Sequence, residues 1–337
     1  MQRRILVLLT GGTLLMKPSE RGEGALSVDT AARDLVAEVP ALARAAEIET
    51  QQLFAMDSGD MQPSDWLALA ESVHAALADD RFDGVVVVHG TDTMAYTASA
   101  LALLLGPIPK PVVLTGSQQP LSAVRTDARE NLVDAALVAT LPVPEVTIAF
   151  ASRALRGARS TKRDAWAFDA FDAPNCPPLV ELGVGTAVAK HVRPAGPLVP
   201  LDRRLEPRVL AVRVFPGLDP ALVTGALRAG VRGLVLEAYG TGNVPQLRVD
   251  SSPSLISALH EAREANVPVL VVSQCLRGFV DLPRYAGGAA AAQAGAIAGG
   301  DMTPEAALAK LMIGLGRFGP GAELRAYLEA DVVGEKS

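Results

Sequence analysis

A chain of 337 residues, 49% hydrophobic and 20% charged, is long enough for two domains with cores of their own, since a domain typically holds about 100–200 residues. A formal net charge of −6 with only 4% aromatics, and no basic stripe, argues against nucleic acid as a partner. Cys176 and Cys275 are too few to suggest a disulfide framework, and the four histidines fall in no HExxH or CxxC spacing, so neither a metal nor another cofactor is expected.

The chain opens on Arg3 and Arg4 before an apolar run at residues 5–9. At about five residues this run falls short of the roughly 7–15 in a signal-peptide core. It leads straight into Thr10-Gly11-Gly12-Thr13 and reads as the first strand. No apolar stretch approaches the roughly 18 residues of a membrane span, and glycines interrupt the alanine-rich run 286–300. The expectation is a cytoplasmic protein with no membrane partner.

Strand and helix patterns then alternate. Strands are expected near residues 4–9, 47–54, 84–89, 111–115 and 145–150, with helices near 30–45, 64–78, 92–105 and 127–140. Val85-Val86-Val87-Val88 is a β-branched run of the kind that fills a strand buried on both faces. Residues 193–207 hold four prolines and little periodicity and read as a linker. Beyond them the alternation resumes, with strands near 209–215, 233–239 and 267–273. Helices follow near 219–229, 254–265, 304–315 and 322–330. The fold class is α/β: an N-terminal flavodoxin- or Rossmann-like parallel-sheet domain (residues 1–192), a linker (193–208) and a smaller C-terminal α/β domain (209–337).

The chemistry-bearing residues cluster after strands, where open α/β sheets bind ligands. Thr10-Gly11-Gly12-Thr13 permits a tight turn and close backbone approach. It fits a phosphate loop poorly, because neither GxGxxG nor GK[ST] is present, and Thr13 alone reads equally as a turn residue. His89-Gly90-Thr91-Asp92-Thr93 sets polar side chains in succession at a strand end. Asp92 taken alone fits a helix N-cap, and His89, closing a buried strand, reads as structural. Asp57-Ser58-Gly59-Asp60 and Gly116-Ser117-Gln118 follow the second and fourth strands; each alone reads as a solvated turn. Lys162 stands in the basic run Arg159-Ser160-Thr161-Lys162-Arg163, ordinarily a solvated loop. Delivered to a threonine it would matter, because an unassisted hydroxyl is a poor nucleophile at neutral pH.

Together these segments resemble the bacterial-type L-asparaginase family, in its cytoplasmic type I branch. The resemblance rests on Leu9-Thr10-Gly11-Gly12-Thr13, Met56-Asp57-Ser58-Gly59-Asp60-Met61, His89-Gly90-Thr91-Asp92-Thr93-Met94, Leu114-Thr115-Gly116-Ser117-Gln118, Tyr239-Gly240-Thr241-Gly242-Asn243 and Ser273-Gln274-Cys275. It implies hydrolysis of the L-asparagine side-chain amide to L-aspartate and ammonia without a cofactor. In that reading Thr13 is the nucleophile of an acyl-enzyme. Thr91 and Lys162 activate the attacking group or water, and Asp92 holds the lysine and binds the substrate ammonium. Asp57, Ser58 and the Gly59 backbone hold the α-carboxylate, and backbone N–H groups near Thr91 and Ser117 serve a developing oxyanion. The resemblance also implies a homodimer or homotetramer.

Two departures stand out. The family usually carries a tyrosine about ten residues after the nucleophile, whereas residues 21–26 hold none and Glu23 occupies roughly its place. Glu23, flanked by glycines, is a lid candidate: either it substitutes as the proton acceptor or the lid works differently. A regulatory asparagine site found in some type I enzymes would map to Thr161, Asn243 and Cys275. Glu237 replaces a basic residue there and would repel a substrate carboxylate, so allosteric activation is not expected. The rival readings are a glutaminase/asparaginase of broader specificity, an amidotransferase subunit acting on glutaminyl-tRNA, a catalytically silent amino-acid-binding paralogue, and a nicotinamide dehydrogenase. The tRNA reading suits an acidic chain with no added domain poorly, and the dehydrogenase lacks its glycine fingerprint.

Overall fold

The computed structural model describes residues 2–18, 26–28, 35–246 and 254–337. They divide into two compact units, Met1–Leu201 and Asp202–Ser337. In the first unit β1 (Arg4–Gly11) precedes a hairpin of β2 (Met16–Pro18) and β3 (Leu26–Val28). Two one-turn helices, α1 (Leu35–Glu38) and α2 (Leu42–Ala45), lead to β4 (Glu47–Met56) and α3 (Pro63–Ala78). Next come β5 (Gly84–Val88), α4 (Met94–Leu105), β6 (Val112–Thr115), α5 (Ala128–Val138) and β7 (Val146–Phe150). The unit closes with the short strands β8 (Arg153–Arg156), β9 (Thr161–Lys162), β10 (Phe171–Asp172), β11 (Val180–Leu182) and β12 (Thr186–Val188).

The main sheet has eight strands in the order β12-β11-β8-β7-β6-β5-β1-β4. β4, β1, β5, β6 and β7 run parallel, and β8, β11 and β12 extend the sheet antiparallel. Residues 5–9, 85–88 and 112–114 are buried throughout, as a parallel sheet covered on both faces requires. Ile5, Val7, Leu9, Val86, Val88 and Val113 share a core with α1, α2 and α5, while α3 packs on β5 and α4 on β6 and β7. The chain goes from β1 to β4 on one side and returns across β1 to β5 on the other. The carboxyl ends of β1 and β5 therefore flank the point where the winding reverses, the ligand-binding crevice of open α/β sheets.

The second unit runs β13 (Val209–Arg213), α6 (Pro220–Arg228), β14 (Gly233–Ala238), α7 (Leu255–Glu264), β15 (Val269–Ser273), α8 (Ala286–Gln293), β16 (Ile297–Ala298), α9 (Pro304–Phe318) and α10 (Ala322–Glu329). Its sheet is parallel in the order β13-β14-β15-β16. Alternate residues of β14 serve opposite cores: Leu234, Leu236 and Ala238 meet α6, α7 and α8, and Val235 meets α9 and α10. Lys310 of α9 and Glu335 form an ion pair of 2.6 Å with both side chains fully buried, which ties the chain end to α9.

Two local readings of the sequence change. The helix expected at 30–45 is, within its described part, two short helices separated by Val39-Pro40-Ala41; Pro40 has no N–H to continue the helical ladder. β8 to β12 carry no long apolar run and gave no strand signal. The division between the two units falls within the proline-rich stretch 193–208, after Leu201. Arg193 N donates to Glu145 Oε1 (2.7 Å) and Gly196 N to Ile108 O (3.1 Å) in the first unit, and Glu206 N donates to Met312 O (2.9 Å) in the second. No helix among the described residues is long and apolar enough to cross a membrane.

Candidate active site

β4, β1, β5 and β6 lie side by side, so their carboxyl ends bring four turns to one sheet edge. Glycines let those turns press together. Gly11 and Gly12 have φ of +112° and +86°, a region open to glycine and strained for other residues. A Cβ on Gly11 would lie 2.2 Å from Met56 O, and one on Gly12 would lie 2.4 Å from the Gly90 Cα. A Cβ on Gly90 would in turn lie 2.5 Å from Ser58 Oγ. Gly12 N donates to Met56 O (3.1 Å), and Thr93 Oγ1 donates to Ser58 O (2.8 Å). Thr13, Ser58 and Thr91, each at or next to one of these contacts, are thereby gathered at the reversal point of the sheet.

Lys162 reaches this edge from β9. That strand pairs with β10, setting Lys162 opposite Phe171, and Phe171 is buried against Phe150 with ring centroids 5.0 Å apart. Lys162 Nζ donates to Thr91 Oγ1 (2.8 Å) and to Asp92 Oδ1 (2.6 Å). Thr91 is 5% exposed, whereas the Asp92 side chain is 68% exposed, so the hydroxyl is shielded while the carboxylate is open to a ligand. The N-cap reading of Asp92 does not hold: α4 begins at Met94 with Thr93 as its cap residue. Asp92 is instead committed to Lys162.

His89 is fully buried, and its Nδ1–H donates to Gly90 O (2.7 Å). Burial pulls its pKa down from 6.5 to about 4, so the ring is neutral at neutral pH and shapes the turn. Asp57 Oδ1 accepts from Gly59 N (2.9 Å), stabilising the 3-10 turn Ser58–Asp60; Ser58 is buried beneath it. Ser117 is 1% exposed and donates its hydroxyl to Gln119 O (2.6 Å), so its side chain is turned inward. Glu23 lies outside the described residues.

The residues of the expected second site are divided. Thr161 belongs to the first unit, and Asn243, Cys275 and Glu237 belong to the second. The Asn243 backbone pairs with Tyr239, and its Oδ1 would be 2.4 Å from a Cβ on Gly287. Cys275 is exposed. Glu237 lies opposite Arg213 on β13, 3.7 Å from its guanidinium.

Sequence reasoning gave no role to Thr93, Gln118, Asp127 or Asn131. Gln118 Oε1 accepts from Thr91 Oγ1 (3.3 Å), and the Asp127 carboxylate accepts the backbone N–H of both Gln118 and Gln119. The signals available were Thr93 and Gln118 within their post-strand segments; the partners of Gln118 are distant in sequence.

Comparison with known proteins places these features in context. Residues 4–194 match the family model described as asparaginase, N-terminal, and residues 208–328 match that of the glutaminase/asparaginase C-terminal domain. The chain is 40% identical over 319 residues to L-asparaginase 1 of Escherichia coli K12, covering 92% of this chain and 91% of that one. The thermostable L-asparaginase of Thermococcus kodakarensis superposes with a TM-score of 0.88 at 35% identity, over 99% of both chains. L-asparaginase I of Vibrio cholerae gives 0.88 at 36%, over 100% of both.

Proposed function

Because the chain belongs to the asparaginase family, we propose that it is an L-asparaginase working through a threonine acyl-enzyme. The Thr13 hydroxyl attacks the side-chain carbonyl of L-asparagine, and the C–N bond breaks as ammonia leaves with the proton relayed to it. Water then hydrolyses the Thr13 ester to release L-aspartate. Backbone N–H groups near Thr91 and Ser117 meet the oxyanion of each step. Ser58 and the turn shaped by Asp57 and Gly59 take the α-carboxylate, and the exposed Asp92 carboxylate takes the α-ammonium.

One observation carries this reading: Lys162 Nζ lies within hydrogen-bond distance of both Thr91 Oγ1 and Asp92 Oδ1, at the strand end next to Thr13. A hydroxyl becomes a useful nucleophile when a neighbouring base accepts its proton, and the Thr91–Lys162 pair, oriented by Asp92, offers a proton path of that kind. The protein acts in the cytoplasm as a homodimer or homotetramer, with a free amino acid as its partner. Asparagine and glutamine differ by one methylene, which a pocket distinguishes by only about 1–3 kcal/mol, so both amides are substrates to test.

Ammonia release from L-asparagine and L-glutamine, measured for the wild type and for Thr13→Ala, tests the reading. It predicts asparagine turnover that Thr13→Ala abolishes. A wild type that binds asparagine but releases no ammonia from either amide is instead an amino-acid-binding paralogue.

A further inference from the structure

Gln118 sits between the reacting edge and a loop that carries none of the expected chemistry. Its Nε2 donates to Ala167 O (3.2 Å) and points toward Asp164 O (3.5 Å). Two carbonyls on one side identify that end of the amide as the NH2, because carbonyls accept and cannot donate. Oε1 therefore faces Thr91 and must accept the Thr91 hydroxyl proton (3.3 Å). The lone pairs of Thr91 Oγ1 are left for Lys162, whose Nζ–H donates to it at 2.8 Å.

The Gln118 backbone is itself held by a buried carboxylate. Asp127 is 6% exposed and begins the helical stretch of α5, yet its side chain does not cap that helix. Its oxygens accept the N–H of Gln118 (3.0 and 3.1 Å) and of Gln119 (3.1 Å). Asn131, one helical turn on, donates Nδ2 to Asp127 Oδ2 (3.0 Å) and to Gly116 O (3.0 Å). A buried carboxylate supplied with several donors is a rigid acceptor platform.

We propose that Gln118 is a positioning residue that sets the direction of the Thr91 hydroxyl proton, and that Asp127 is the buried support that holds Gln118 in place for this. The proposal rests on the asparaginase reading above. Without Gln118 the Thr91 hydroxyl turns freely about its Cβ–Oγ1 bond, and its lone pairs are no longer reserved for Lys162. Binding of the amino acid at Ser58 and Asp92 is untouched, so the loss falls on turnover.

The test uses Gln118→Met, which keeps the side-chain length without its hydrogen bonds, and Asp127→Asn, which sets an amide among the donors that the carboxylate accepts. Each is assayed for kcat and KM on L-asparagine and for L-aspartate affinity by calorimetry, with melting curves to establish folding. The expected result is kcat lower by about 10–100-fold, the scale of a misoriented catalytic group, with aspartate affinity within about twofold of wild type. Should Asp127→Asn fail to fold, Gln118→Met alone decides. An unchanged kcat in Gln118→Met overturns the proposal, as does an aspartate affinity that weakens as much as kcat falls, which makes Gln118 a substrate-binding group. Failure of the underlying reading is distinct, because there the wild type itself releases no ammonia.

Discussion

Gly12 and Gly90 meet backbone to backbone: a Cβ on Gly12 would lie 2.4 Å from both the Cα and the nitrogen of Gly90. These glycines immediately precede Thr13 and Thr91, so the spacing of the two threonines is set by how closely their turns approach. Gly12→Ala forces the turns apart and also places alanine at a φ of +86°, which costs about 1–3 kcal/mol. The expected outcome is a lower melting temperature and a kcat reduced by about 100-fold. An alanine variant with wild-type turnover would show that the contact does not set the geometry.

Lys162 is expected to matter through proton movement rather than folding, since its side chain is partly exposed and its ion pair with Asp92 faces solvent on the Asp92 side. Lys162→Met should retain the melting temperature within a few degrees while kcat falls by about 10²–10⁴-fold. A variant that melts early and keeps its turnover per folded molecule would reduce the lysine to a structural role.

His89 gives the protein an acid-sensitive point. Its pKa in the fold, about 4, lies below the ordinary 6.5 because burial penalises the charged ring. The unfolded chain therefore takes up a proton first as pH falls. The stability contributed by neutral His89 is complete above pH 6.5 and is lost between pH 6.5 and about 4. At about 1.4 kcal/mol per unit the loss is on the order of 3 kcal/mol. Melting temperatures of the wild type should fall more steeply across this window than those of His89→Gln. Parallel curves would place the acid sensitivity elsewhere.

By the family resemblance, a regulatory asparagine would bring its carboxylate to Glu237, whose own carboxylate lies 3.7 Å from the Arg213 guanidinium. The rate curve against L-asparagine is expected to be hyperbolic. Sigmoidal kinetics would show that a second site operates in spite of Glu237.

Much of the fold could be read from the chain because its signals were local. The β-branched residues 85–88 fit a strand buried on both faces, and that strand is β5. Glycines after strands (Gly11-Gly12, Gly59, Gly90 and Gly116) marked the turns, and the relation of Lys162 to a threonine followed from resemblance alone. The strands β8 to β12 were not legible, because strands of two to four residues gain their stability from pairing partners that periodicity does not reveal. Asp92 looked like a helix cap until the helix began two residues later. Gln118 was noticed only as part of a turn; its role depends on Ala167, 49 residues away, and on Asp127. Such side-chain-to-backbone links leave no pattern in sequence spacing.

The proposed reaction requires Thr13 to carry the acyl group. The most direct measurement is rapid acid quenching of the wild type during L-asparagine turnover, followed by peptide mass spectrometry. The expected result is the mass of one aspartyl group on the peptide that contains Thr13 and none on the peptide that contains Thr91. An aspartyl adduct on Thr91, with Thr13 unmodified, would contradict it and exchange the roles of the two threonines.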